Sequence, residues 1–160
     1  MARSKEIQKQ IDMLKNLQNA KVQAGWFETD RYSDEEGGEL VAERARKLEY
    51  GFTSKFTLPN GQEVDAYTPP RPFMRFAGLL FSADRRRIEN NIAKKLFSGK
   101  IDADQALAQI GLAMEAKIVD SIKEGEWIGN SYFTIKQKGF DKPLIETGHM
   151  WQTVSSKVVK

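Results

Sequence analysis

Cysteine is absent from this chain, histidine occurs once, and apolar runs are short. Without cysteine there can be no disulfide, no thiolate metal site and no cysteine nucleophile. Such a chain suits a reducing compartment, or one where redox state does not matter. With His149 alone, a two-histidine metal site and a helical His-Glu-x-x-His pairing are excluded. No apolar stretch approaches the ~18–20 residues of a membrane span, and residues 1–20 carry no legible secretory signal, so no membrane partner is expected. Phosphate-binding loops are missing too: Gly99-Lys100 is followed by Ile101 where such a loop needs Ser or Thr. Ser131 and Ser155 lack the glycines of a nucleophile elbow. Charge of one sign is scarce as well. Lys+Arg 25 against Asp+Glu 22 leaves +3, whereas a dedicated nucleic-acid binder usually shows a clustered basic patch.

What remains is an ordinary globular composition of 40% hydrophobic and 29% charged residues in 160 positions, enough for one domain. A chain of this size buries roughly 70% of its unfolded surface and needs no staple. Ser4 can cap a first helix in which Ile7, Ile11, Leu14 and Leu17 share one face, so residues 1–20 read as an N-terminal amphipathic helix. Residues 21–28 read as a strand with Val22, Ala24 and Trp26 on one side. A polar loop over 29–38 carries the acidic run Asp34-Glu35-Glu36, and 39–49 reads as a short helix closed by a left-handed Gly51. Residues 52–67 alternate around Pro59-Asn60-Gly61, which predicts a β-hairpin pairing Phe56 and Leu58 with Val64 and Ala66.

Thr68-Pro69-Pro70-Arg71-Pro72 cannot be regular structure, and Pro72 suits the first turn of a long helix that Ser98-Gly99 ends. Asp102 with Gln105 forms a capping box for a second long helix, running to Gly125 with Leu107, Ile110, Met114, Ile118 and Ile122 inward. Alternation at 132–137 and β-branched content at 151–159 predict two closing strands. The order α-β-α-ββ-α-α-β-β implies an α+β fold: a small mixed or antiparallel sheet on two long helices, with a hairpin extension and an N-terminal helix. Residues 21–160 form the single folded domain.

Catalytic constellations do not emerge. His149 with nearby Glu146 is the one general-base candidate, and a turn or interface imidazole explains it as well. Arg85-Arg86-Arg87 is the densest basic cluster and reads either as an exposed helix face or as a contact for an acidic partner or for DNA. Three tryptophans, nine phenylalanines and four tyrosines exceed any catalytic need and suit a core plus a subunit interface.

Three segments, in order, carry a resemblance. They are VQAGWFE (22–28) with VAERARKLEYG (41–51), TPPRPFMR (68–75), and KPLIETGHMWQTVSSKV (142–158). This succession resembles the small virion-morphogenesis proteins of tailed bacteriophages, the neck or tail-completion (tail-terminator) group. It departs from them in the Arg-Lys-Leu inserted before Gly51.

The resemblance implies a structural subunit without catalytic residues, metal or cofactor. It implies a homo-oligomeric ring, typically hexameric, that ends the tail tube and joins the DNA-filled head. Partners would be the tail tube protein and head-completion or connector proteins. The location would be the virion neck, after synthesis in the host bacterial cytoplasm. Pro70, Arg71, Pro72 and Phe73 would fix the loop before the long helix. Pro143, Leu144, Ile145, Thr147 and Gly148 would shape the turn before the last strand. Arg85, Arg86 and Arg87 would face the lumen, its passing DNA, or a neighbouring ring. A portal-bound head-completion ring and a small nucleic-acid-binding protein are the alternative expectations.

Overall fold

Two long antiparallel helices set the frame of the computed structural model, which describes residues 2–58 and 60–159. In chain order the elements are α1 (Ala2–Gln18), β1 (Lys21–Gly25), a 3-10 turn (Asp34–Glu36), α2 (Val41–Tyr50), β2 (Phe52–Thr57), β3 (Glu63–Thr68), α3 (Phe73–Phe97), α4 (Ala103–Glu124), α5 (Tyr132–Lys138), α6 (His149–Gln152) and β4 (Ser155–Val159). The fold is α+β, as the residue patterns imply.

The helix boundaries follow local chemistry. The Asp102 carboxylate accepts the Gln105 N–H at 2.8 Å, and the Gln105 side chain accepts the Asp102 N–H at 3.0 Å. That reciprocal pair satisfies two otherwise orphaned donors and starts α4. Pro72 stands at the N-cap of α3, and Ser98 with a left-handed Gly99 closes it.

β1 and β4 pair antiparallel, Lys21 opposite Val159, and lie on α4. Gly111 of α4 makes this approach close, since a Cβ there would stand 2.9 Å from Ser156 Cβ. β2 and β3 form a separate hairpin, Phe52 opposite Thr68. The main core gathers Val41, Ala45, Phe73, Ala77, Ile118, Ile122, Leu144 and Met150 at one end of the long helices. A smaller cluster of Ile92, Leu96 and Ala106 sits at the other end, covered by Met13 and Leu17 of α1.

Several expectations need correcting. α1 already includes Ser4, which is therefore not its cap. Of the apolar face expected on α1 only Leu17 packs inward, and Ile7, Ile11 and Leu14 are exposed. Residues 132–138 are helix, not strand. Ser131 Oγ accepts the Thr134 N–H and left-handed Gly139 closes the turn, so a cap at each end overrides the alternation. The closing strand is also shorter than 151–159: Trp151 and Gln152 belong to α6, which begins at a left-handed Gly148. The 143–148 segment therefore enters a helical turn, with β4 following.

Gly51 has φ +76° but an extended ψ, so it ends α2 without the left-handed cap. The hairpin register pairs Phe56 with Val64 as expected but Ser54 with Ala66, two residues from the anticipated partner. At the turn, Asn60 Oδ1 accepts the Gln62 N–H at 3.0 Å, and Pro59 lies outside the described residues.

Candidate functional site

The Pro70–Phe73 and 143–148 segments lie far apart in sequence, yet both reach one core. Phe73 is fully buried, edge-on to Trp26 at 6.1 Å, and its carbonyl accepts the Ser121 hydroxyl at 2.7 Å. Leu144 is buried at φ +63° beside it, and Ile145 packs against the same cluster. Trp26 Nε1 donates to the Met150 carbonyl at 2.8 Å, which ties β1 to α6.

Arg71 is the unusual member, a cation only 5% exposed. Its Nε donates to the Ile128 carbonyl at 3.0 Å, and its Nη2 to the Gly129 carbonyl at 3.2 Å and Asn130 Oδ1 at 3.3 Å. Burial lowers its pKa from the ordinary arginine value, and the Asp141 carboxylate acts in the opposite direction. Asp141 also accepts the Asn130 N–H at 3.0 Å, so the 128–130 stretch is held from two sides. The Asn130 side-chain amide nitrogen is buried without a hydrogen-bond partner among the described residues.

Glu49 was not singled out by its sequence context, and it is the key to this junction. Its buried carboxylate accepts the Met74 N–H at 2.8 Å and the Arg75 N–H at 3.3 Å, and it pairs with Arg75 Nε at 3.0 Å. A carboxylate at a helix start meets the positive end of the dipole and two orphan donors. The signal was available: an acid in the last turn of α2 is electrostatically misplaced unless it serves another element. Ser121 and the 128–130 carbonyls carried no comparable signal.

Thr147 and His149 secure the opposite side. The Thr147 hydroxyl is hydrogen-bonded to the Glu36 carboxylate and lowers its pKa, with Ser33 assisting. His149 Nε2 donates to the Arg31 carbonyl at 2.9 Å, and its ring lies 4.9 Å from Tyr32. Arg44 covers the Tyr32 ring at 3.7 Å. The imidazole thus joins the 29–38 loop to α6, with a backbone carbonyl rather than Glu146 as its partner.

Between these segments and the hairpin runs an open groove of about 1520 Å³. Phe52, Phe56, Val64 and Ala66 form one wall, while Arg71, Lys136, Lys138, Leu144 and Ile145 form the other. Burial lowers the pKa of Lys138, and the Glu146 carboxylate counteracts this. Pro143 and Gly148 do not line the groove; they shape the chain behind it. β2 exposes every residue from Thr53 to Thr57, so both of its faces are open. The arrangement offers main-chain donors, apolar side chains and mixed charge, which is chemistry for holding a polypeptide.

Arg85, Arg86 and Arg87 are not part of this site. They are exposed on α3, with Arg85 paired to Glu89 at 2.7 Å and Arg87 to Asp84 at 3.0 Å. Asp84 also meets Lys117 at 2.7 Å, and these hydrogen bonds hold its carboxyl below the usual range. Among the described residues no group of three His, Asp or Glu could hold a metal ion, and no helix is long and apolar enough to cross a membrane. Comparisons with protein-family models, with curated proteins and with solved structures returned no match to this chain.

Proposed function

We propose that this chain is a structural subunit of a tailed-bacteriophage neck. In this reading, copies of it close into a ring, hexameric in its simplest form, that completes the tail tube and joins it to the head. The observation that carries the reading is the β2–β3 hairpin standing open over its groove. A two-stranded hairpin is marginal in water by itself, and an open strand edge is a template for another chain. Supplying that edge to a neighbour satisfies its free N–H and C=O groups and covers Phe56 and Val64. A contact between unlike surfaces of two copies closes by rotation into a ring. The succession of the 22–51, 68–75 and 142–158 segments supports the phage assignment within this assembly class.

Native mass by light scattering over a concentration series, with negative-stain images, tests the reading. Closed rings, alone or on purified tail tubes, are the expected result. A chain that stays monomeric and is not captured by tail tubes would sink the proposal.

A further inference from the structure

Two exposed apolar surfaces lie at opposite ends of α4, and they differ in charge. The first is on α1, where Ile7, Ile11 and Leu14 follow at i, i+4 and i+7 and remain 52%, 40% and 51% exposed. Met13 and Leu17 of the same helix turn inward to Leu96 and Ala106, so the exposed stripe is a second face. Its helix is basic: Lys5, Lys9 and Lys15 outnumber Glu6 and Asp12.

The second surface joins α3 to the chain after α4. Phe76 and Leu79 are 39% and 69% exposed one turn apart, and Trp127 lies edge-on to Phe76 at 5.8 Å. Ile128, next in the chain, is 61% exposed. Here the charge is negative: Glu124 and Glu126 are exposed, and no Lys, Arg or His occurs from 124 to 135. Arg75, on the same helix, is already paired with Glu49. The surface cannot meet the α1 stripe of its own chain. α1 packs beside Ala106, whereas Trp127 hydrogen-bonds to Ser121, about 22 Å further along α4 at ~1.5 Å per residue.

We infer that the Ile7–Ile11–Leu14 stripe of one copy packs on the Phe76–Leu79–Trp127–Ile128 surface of the next. The inference rests on the assembly reading above and names the two faces that meet. Charge selects this pairing. Two α1 helices brought together would oppose lysine to lysine, and two α3 surfaces would oppose Glu124 and Glu126 to themselves. Only the unlike pair brings opposite charges to one apolar seam. Being head-to-tail, the contact can be repeated at every subunit until the ring closes.

The absence of cysteine makes the test direct. Full-length Ile11→Cys and Leu79→Cys variants are prepared separately, mixed, and treated with a short bismaleimide. The expected result is a covalent dimer in the mixture that neither variant gives alone. Glu124→Lys with Glu126→Lys should weaken association of the unlabelled chain about tenfold, and Lys9→Glu with Lys15→Glu should restore it. Rings that form without the 11–79 link overturn this inference and leave the assembly reading standing. Links only between two Ile11→Cys chains overturn it in favour of an isologous helix pair. A chain monomeric under all conditions, linked only to a different protein or not at all, overturns both.

Discussion

The two strand pairs share antiparallel hydrogen bonding and differ in almost everything else. β1–β4 joins segments near the two ends of the chain and lies against α4, where Gly111 admits Ser156 and Val22. β2–β3 is closed by its own turn, and β2 meets solvent on both sides. The first pair exists because a core holds it, and its residues have little to say locally. The second exists because Asn60 and Gly61 make a turn, and what covers it lies outside the folded monomer. A strand pair is thus no measure of stability by itself, since the surface behind it decides.

The largest effect should come from removing the ring that backs the covered sheet. Phe73→Ala empties a fully buried site beside Trp26 and should cost about 3–5 kcal/mol, read as a shift of the urea midpoint. β1–β4 should then lose its protection from hydrogen exchange along with the whole domain. A smaller and more local effect is expected from Gly111→Val. Its added carbons would collide with Ser156 and lift the sheet from α4, costing on the order of 1–3 kcal/mol. A value near zero would mean that the sheet is not seated as tightly as the close approach implies.

The smallest effect on stability belongs to the hairpin. Phe56→Ser, at a position 40% exposed, should change the monomer by only about 0.5 kcal/mol. The hairpin amides of the monomer should exchange quickly and become protected on assembly. A Phe56→Ser variant that unfolds like Phe73→Ala would erase the distinction between the two strand pairs.

Sequence pattern located the parts with local chemistry. The Asp102–Gln105 box, Pro72 at the start of α3 and Ser98-Gly99 at its end all depend on neighbours in the chain. The hairpin was legible for the same reason. At 132–138 two local signals competed, and alternation was preferred although Ser131 and Gly139 cap a short helix. Residues 151 and 152 failed similarly, because β-propensity reports a half-buried surface and a helical turn can supply one. The site was legible only in outline. Pro70–Phe73 and 143–148 stood out as irregular segments, but the Ile128 and Gly129 carbonyls that receive Arg71 are non-local and chemically silent in sequence.

The close approach at Gly51 has a mechanical consequence. With φ +76° and a would-be Cβ 2.9 Å from both Thr68 O and Pro70 N, the root of the hairpin is clamped where its two strands leave the body. The Arg71 N–H to Leu48 carbonyl bond and the Glu49 carboxylate lash the same point to the first turn of α3. The hairpin is therefore a lever on a short, stiff fulcrum. A load applied at its tip is delivered to the start of a helix 25 residues long, and through it to the far end of the molecule.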